Sequence, residues 1–519
     1  MKRPLMRGAL WVGCIAALVV GVTLGAATPP KVQFTDTRLK NGLRVLISED
    51  HMAPVFSIAI VYNVGSRNER QGRTGFAHLF EHMMFKGSQN VGSGEHFMLV
   101  YNNGGQMNGG TSQDSTMYFE ELPANQLDLA LFLESDRMRA LDINKTNLDN
   151  QIGTVSEERK QGVDNQPYGR TSELITELAY KNFAYKHSVI GSLDDLRAAT
   201  VDDVAAFFRT YYAPNNAALA VVGDVNRADC LDRVRKYFES IPQQAPPPEL
   251  DTTEPPQAAE QRQTIDDPLA RLTRLDIVYH IPQAMTADSD ALSMLGSVLS
   301  SGRSSRFYDT IVRQKQLAQN VSGYPSQNRG PSLFRVSGMV MPGKSVADLE
   351  KAIYEEIEKV KTQPIEPWEL EKTRNAALRG VVSTLTSSLS RALSLSQYAV
   401  FYNDPGLINT RYQRLSSITA ADVQRVAKQY LTPENRTVII TNPKPAAPTN
   451  PAADASERQR ASHANGAGSA RERRGAMGAP LATELGGVQG PPPFNSSAPA
   501  SERVGGSGGA KPPDQKGGR

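Results

Sequence analysis

Two histidines and a glutamate fall within five positions of one short segment, HLFEH at residues 78–82. On a helix with 3.6 residues per turn, His78, Glu81 and His82 share one face, because they are three and four positions apart. Two imidazoles one turn apart can hold a zinc ion at about 2.0–2.1 Å, and the glutamate beside them can take a proton from water. This order is the inverted form of the zinc-metallopeptidase motif. The alternative is two solvated histidines beside an ordinary helix glutamate.

HLFEH alone does not complete a catalytic zinc site, which uses three protein ligands and keeps one position open for water. A third histidine, aspartate or glutamate must come from elsewhere in the chain. Glu157 and Glu158 stand on a predicted helix over 146–161, and Glu158 follows His82 by 76 positions. Helical periodicity does not distinguish these two neighbours, so both stay open as ligands on this ground.

The elements around these residues predict a mixture of strands and helices. The segments 43–47 and 56–62 are typical of strands, and 74–86 and 125–140 of helices. The stretch 104–123 joins a glycine-rich lead to a run that favours a strand, which predicts a hairpin or loop feeding a strand, or a simple turn.

Two blocks of similar size, 31–240 and 265–445, indicate a duplicated domain. Thr200 and Thr419 stand 219 positions apart, and each begins a predicted helix, a proline turn and a β-rich run. The segment 241–264 between the blocks is rich in proline and predicts an extended linker. We therefore expect an α+β protein made of two homologous α/β-sandwich domains.

Composition narrows the class of protein. The chain has 519 residues, enough for two or more domains, with 39% hydrophobic and 21% charged residues. The formal net charge of +3 and its distribution give no basic face for nucleic acid. Cys14 and Cys230 are the only cysteines, which excludes zinc held by several thiolates.

Both ends of the chain differ from the body. Residues 1–27 carry three positive charges, an apolar run and small closing residues, which predicts a secretory signal and a periplasmic or secreted protein. The alternative is an uncleaved N-terminal membrane anchor, because the apolar run is about long enough to span a bilayer. Residues 446–519 are rich in Ala, Pro, Gly, Ser and Arg, which predicts a disordered tail or a tether.

The chain resembles the pitrilysin, insulin-degrading and mitochondrial-processing peptidase family. The resemblance rests on HLFEH at 78–82, GGQMNGGTSQDSTMYFEELP at 104–123 and TVSEERKQGVDNQPYG at 154–169, and it covers residues 35–445. It implies one zinc ion per chain, held by His78, His82 and Glu158, with Glu81 as the general base. It also implies that 104–123 supplies an edge strand that pairs with the substrate backbone, with Asn108 touching the scissile segment.

Two positions depart from that family's pattern. Gln151 stands where relatives often have a glutamate that supports the site. In the second block the resemblance assigns a substrate-holding role to Arg313, but Asn320 replaces the tyrosine expected seven residues later. A partner chain could supply the missing group, because two-block relatives commonly work as dimers. We expect a homodimer, or a heterodimer with a metal-free homologue.

The second block is expected to hold no metal and to face the first across a substrate cavity. Positions 219 beyond the metal-site residues carry Ser297, Ser300, Ser301 and Ala377, which cannot replace His or Glu as ligands. The resulting hypothesis is a zinc-dependent endopeptidase for peptides or unfolded segments. The alternative is a non-catalytic peptide-binding or chaperone-like subunit of a peptidase complex.

Overall fold

The computed structural model describes residues 29–444, so the predicted signal and the predicted tail lie outside the described residues. Within this part, two sheets are built from strands β1 (Thr35–Arg38), β2 (Arg44–Glu49), β3 (Val55–Tyr62), β4 (Gln106–Thr111), β5 (Thr116–Pro123), β6 (Ala217–Gly223), β7 (Gln261–Asp267), β8 (Arg274–Ile281), β9 (Ala318–Pro325), β10 (Ser332–Val340) and β11 (Arg436–Pro443).

Helices join and cover these strands. They are α1 (Phe76–Met83), α2 (Glu95–Asn102), α3 (Leu127–Arg139), α4 (Lys145–Arg159), α5 (Gly169–Ala179), α6 (Phe183–Lys186), α7 (Leu193–Arg197), α8 (Val201–Tyr211), α9 (Arg227–Phe238), α10 (Ala287–Ser300), α11 (Val346–Thr362), α12 (Pro367–Thr386), α13 (Ser388–Tyr402), α14 (Arg411–Ser416) and α15 (Ala420–Tyr430). Among residues 29–444, none of these helices is both long and apolar enough to cross a bilayer.

The two sheets repeat one topology. The N-terminal sheet has the order β1-β2-β6-β3-β5-β4, and the C-terminal sheet has the order β7-β11-β8-β10-β9. Each contains one parallel pair, β2 with β6 and β7 with β11. Strands β3 and β8 begin 219 positions apart, as do helices α8 and α15. The structure thus confirms the predicted α+β class and the duplication. We call the part from β1 to α9 the N-terminal half and the part from β7 to β11 the C-terminal half.

The equivalent helices α8 and α15 of the two halves both begin with a capping box. Thr200 accepts a hydrogen bond from the backbone N–H of Asp203, whose carboxylate accepts one back from the N–H of Thr200. Thr419 and Asp422 make the same reciprocal pair. Each pair satisfies backbone donors that the first turn leaves free, so these helix starts follow from the sequence alone.

Strand β3 shows how the N-terminal sheet buries both faces. Phe56, Ile58 and Ile60 point to the core shared with α1 and α3. Ala59, on the opposite face, belongs to a second cluster with residues of α13. Because side chains alternate along a strand, each face of the sheet needs its own cover.

Each half contributes a helix that packs on the sheet of the other half, and we call this arrangement the helix exchange. Helix α13 of the C-terminal half packs on β3 and β6 of the N-terminal sheet, where Leu395 is fully buried. In return, α5 of the N-terminal half packs on β8 and β11, and Ile175 contacts the cluster that contains Val278. Neither sheet is therefore fully covered without the other half.

The segment between the halves carries no helix or strand over 242–260. Strand β7 begins at Gln261, inside the predicted linker 241–264, because this stretch pairs in parallel with β11. The linker also contacts the N-terminal half, since the carboxylate of Glu254 accepts hydrogen bonds from the N–H groups of Lys181 and Asn182 at 2.8 and 3.0 Å. The composition of residues 241–264 does not predict that part of this segment pairs with β11.

The exchanged helix α13 is expected to be essential for stability. Leu395→Ala should lower the free energy of unfolding by about 2–5 kcal/mol, because it removes buried methyl groups and leaves a cavity against the N-terminal sheet. Val382→Ala, at an exposed position of α12, is the matched control and should change little. Denaturant unfolding measures both, and equal small effects would contradict the packing of α13.

Candidate metal centre

Helix α1, which carries HLFEH, is held at its N-terminus by a buried carboxylate. Glu69 accepts hydrogen bonds from the N–H groups of Gly75 and Ala77 at 2.9 and 2.7 Å. Gly75 adopts a left-handed backbone conformation, with φ of 85°, which glycine reaches without steric cost. Gly191 packs so closely against Gly75 that a side chain on Gly191 would meet backbone atoms. These contacts place the start of α1 beside the loop before α7.

Three side chains from α1 and α4 meet at one point. The Nε2 atoms of His78 and His82 lie 3.6 and 3.4 Å from Oε2 of Glu158. The two imidazole rings are 4.8 Å apart and nearly perpendicular. In a tetrahedral site with bonds of about 2.0–2.1 Å, ligand atoms lie about 3.3–3.4 Å from one another. The distances to Glu158 are close to that spacing, so the trio fits a zinc ion.

The structure separates the two neighbouring glutamates that periodicity could not. Glu158, near the end of α4, turns its carboxylate toward the histidines. Glu157 is exposed and pairs with Lys160 at 2.6 Å on the outside of the helix. The geometry therefore agrees with the ligand that the family resemblance implied.

Burial and charge favour different protonation states at the two histidines. Burial, with the positive charge of His82, lowers the pKa of His78 to about 4, so this imidazole is neutral. Burial also opposes protonation of His82, but the hydrogen bond with Glu158 and the charges of Glu81 and Glu158 raise its pKa. Gln151, which is buried on α4, contributes to this rise. Binding of a metal ion would displace the proton of His82, since a ligating imidazole is neutral.

Glu81 is fixed beside the ligands by strand β4. The hydroxyl of Thr111 donates to Oε2 of Glu81 at 2.7 Å. Burial raises the pKa of Glu81, although the hydrogen bond from Thr111 lowers it in part. A carboxylate with a raised pKa is a better proton acceptor near neutral pH. Sequence reasoning missed Thr111, because no local pattern relates a strand residue to a helix 30 positions earlier.

An open cavity of about 680 Å³ lies in front of these residues. Its walls include the three candidate ligands, Glu81, the strand segment from Met107 to Thr111 and the aromatic side chains of Phe85, Phe97 and Tyr101. Asn108 lies on this wall, and its side-chain oxygen accepts from the N–H of Gly109 at 2.8 Å. Strand β4 is the last strand of its sheet and pairs with β5 alone among the described strands. The stretch 104–123, predicted as a hairpin or loop feeding a strand or as a simple turn, is thus an antiparallel hairpin of β4 and β5.

Within the described residues, the C-terminal half supplies none of the residues that line this cavity. Every lining residue lies between His78 and Ile190. Arg313 lies on a π-helical segment, Phe307–Gln314, where its largely exposed side chain pairs with Asp309. Asn320 is exposed on β9. Neither residue reaches the cavity in its own chain.

A second group of potential ligands lies deeper in the N-terminal half. His96, Glu120 and Glu134 are buried, and Nε2 of His96 lies 2.7 Å from Glu120. Arg137 pairs with Glu134 and stacks over the ring of Tyr118 at 4.4 Å. Because the guanidinium occupies Glu134 and His96 binds Glu120, this group fits an internal hydrogen-bond network better than a metal ion.

Replacement of each of the two neighbouring glutamates by glutamine, in separate variants, tests the assignment of Glu158 as a metal ligand. Glu158→Gln should reduce zinc affinity at least about 10-fold, since even an outer partner of a ligand contributes about 10–100-fold. Glu157→Gln removes the same charge one residue away and should bind zinc like the wild type. Competition with a chromogenic chelator measures both affinities. Equal affinities of the two variants would show that Glu158 is not a ligand.

The buried carboxyl of Glu120 should make stability depend on pH. Burial raises its pKa from 4.5 to about 7, against the lowering effect of Arg137. Between these values the unfolded chain loses a proton that the folded chain keeps, so the free energy of unfolding falls as pH rises. Glu120→Gln removes this effect and should gain about 1–3 kcal/mol relative to wild type between about pH 5 and about pH 8.

Denaturant titrations across that pH range check the prediction for Glu120. Glu157→Gln, at an exposed position, is the control and should follow the wild-type profile. A stability difference between Glu120→Gln and wild type that stays constant with pH would mean that Glu120 does not titrate in this window.

Comparison with known proteins agrees with this geometry. Residues 44–192 match the family model described as insulinase (peptidase family M16), and residues 198–377 match the model described as the peptidase M16 inactive domain. The chain is 31% identical over 434 residues to the zinc protease PqqE of Helicobacter pylori, covering 82% of this chain and 97% of that protein.

Solved structures show the same architecture. A protease from Helicobacter pylori superposes with a TM-score of 0.76 and 30% identity, over 79% of this chain and all of that chain. The first half of the periplasmic protease PqqL from Escherichia coli gives a TM-score of 0.67 at 18% identity, over 84% of this chain and 98% of that chain, which concerns the fold alone. Family models, sequence identity and fold together place this chain in the insulinase family of peptidases, family M16.

Proposed function

We propose that the protein is a zinc-dependent endopeptidase that cleaves peptides or unfolded segments. The observation that carries this proposal is the meeting of His78, His82 and Glu158 at the spacing of a tetrahedral zinc site. This trio opens on a cavity bordered by β4, whose outer edge pairs with no other described strand. The similarity to a named zinc protease supports the same function.

The two histidines and Glu158 would hold the metal ion. Such an ion would supply Lewis-acid chemistry at the scissile carbonyl and would make the attacking water more acidic. Glu81 then accepts the proton of the attacking water and delivers it to the leaving nitrogen. Thr111 holds Oε2 of Glu81, so the carboxylate keeps its orientation while the proton moves.

Strand β4 is proposed to bind the substrate by adding an extended peptide to the sheet. Its outer edge has no strand partner among the described residues, and Asn108 to Thr111 line the metal cavity. Main-chain hydrogen bonds do not depend on side-chain identity, so this mode suits varied sequences. A folded domain cannot present such a strand, which favours peptides and unfolded segments as substrates.

A second chain is proposed to complete the site. Arg313 lies outside the cavity in its own chain, so it could hold substrate only from a partner copy. A homodimer, or a heterodimer with a metal-free homologue, would provide this arrangement. The pattern of residues 1–27 favours a periplasmic or secreted location.

Glu81→Gln separates the enzyme from a non-catalytic subunit. The variant should lose about 10²–10⁴-fold in cleavage of a quenched peptide, because the proton acceptor is gone. Its zinc affinity should stay near the wild-type value, since Glu81 is not a ligand. Glu157→Gln is the matched control and should retain cleavage.

The assay uses purified protein whose oligomeric state is measured by light scattering, alone and with any chain that co-purifies. If the wild type binds zinc and peptide but cleaves nothing under both conditions, the non-catalytic peptide-binding subunit is the correct reading.

A further inference from the structure

The turn between β4 and β5 carries a buried carboxylate that bonds to both halves of the molecule. Asp114 is 5% exposed. Its Oδ1 accepts from the hydroxyl of Tyr185 at 2.7 Å, and its Oδ2 accepts from the backbone N–H of Arg329 at 2.8 Å. The guanidinium of Arg67 lies 3.3 Å from Oδ1. Tyr185 and Arg67 belong to the N-terminal half, whereas Arg329 comes from the loop between β9 and β10.

That loop is itself held against the N-terminal half. The N–H of Gly330 donates to the hydroxyl of Tyr185 at 2.9 Å, so this hydroxyl links Gly330 to Asp114. The guanidinium of Arg329 donates to the side chain of Asn63 at 2.6 Å and lies over the ring of Phe401 at 5.1 Å. Phe401 is on α13, the helix that the C-terminal half places on the N-terminal sheet.

The opposite side of the turn is also closely packed. The N–H groups of Ser66 and Arg67 donate to the carbonyl oxygens of Ser112 and Gln113 at 3.1 and 3.0 Å. Gly65 contacts the same two carbonyls, and a side chain there would have no room. The turn is therefore fixed between residues 65–67 of the N-terminal half and residues 329–330 of the C-terminal half.

The turn is connected through Thr111 to Glu81, the proposed proton acceptor. Thr111, which donates to Glu81, is the last residue of β4 and stands three positions before Asp114. Among the described strands, β4 has a ladder with β5 only, so the turn is one of the places where the C-terminal half can hold it. A shift of the turn would move both Thr111 and the strand edge at the cavity.

We infer that Asp114 is a positioning residue through which the C-terminal half orients Thr111, and through it Glu81, for the reaction. The inference rests on the proposed function. It assigns the C-terminal half a role inside its own chain, in addition to any role toward a partner chain. The carboxylate is suited to this role because it accepts from a backbone N–H and a tyrosine hydroxyl and pairs with the buried guanidinium of Arg67.

The test compares two buried aspartates that each pair with at least one arginine side chain. Asp276 on β8 is 1% exposed and lies 2.9 and 2.8 Å from Arg274 and Arg335, far from strand β4 in the topology. Asp114→Asn should lower kcat about 10–100-fold, because small misplacements of reacting groups have effects of that order. Asp276→Asn should leave kcat near the wild-type value at temperatures well below its unfolding midpoint. Zinc affinity should be unchanged in both variants.

A double-mutant cycle distinguishes positioning from general destabilisation. Thr111→Val removes the hydrogen bond to Glu81, so Asp114→Asn should add little to the loss of kcat in the Thr111→Val background. Combination of Thr111→Val with Asp276→Asn should give independent effects. Independent effects of Asp114→Asn and Thr111→Val, or equal kcat for the two aspartate variants, would overturn the inference.

Tyr185→Phe keeps the test decisive if Asp114→Asn does not fold. This change removes one hydroxyl and should lower kcat about 2–10-fold through a smaller shift of the same turn, whereas an unchanged kcat would overturn the inference. Failure of the proposed function itself has a different signature, namely no zinc-dependent cleavage by the wild-type protein.

Discussion

The contact between helices α1 and α4 brings one carboxylate within 3.4–3.6 Å of two imidazoles, and the proposed chemistry depends on that contact. A helix turn alone sets the spacing of the two histidines, whereas the third ligand requires a particular packing of two helices. The packing in turn depends on how α1 starts, which Glu69 and the close approach of Gly75 and Gly191 determine. Residues outside the cavity therefore control the geometry of the ligands.

The packing of helices between the halves gives the C-terminal half a structural role in the N-terminal half. Helices α13 and α5 each cover the sheet of the other half, so the apolar faces of both sheets are buried only in the combined molecule. The contacts of Asp114 with Arg329 and Tyr185 place a polar link at the same boundary. Stability and orientation of the site are thus supplied by the same interface.

The two halves carry different side chains at the positions equivalent to His78 and Glu158. Ser297 on α10 and Ala377 on α12, which stand 219 positions beyond His78 and Glu158, line a cavity of about 460 Å³. Its walls carry hydroxyl and apolar side chains together with two arginines, without a histidine or a carboxylate among the described lining residues. Both groups of potential metal ligands among the described residues lie in the N-terminal half. Within the described residues, the two halves share a fold, and the candidate ligand groups lie in one of them.

The sequence by itself determined the elements with strong local patterns. The helix of HLFEH, the caps at Thr200 and Thr419 and the repeat at an offset of 219 positions all depend on neighbours a few residues apart. Motif resemblance extended this reading to Glu158 and to an edge strand beside the site. Only the tertiary structure decided that Thr111 holds Glu81, that Glu157 faces outward and that Arg313 stays outside the cavity. The helix exchange belongs to this second group. A periodic pattern defines which face of an element is buried, but the partner of that face is set by contacts between segments that are distant in the chain.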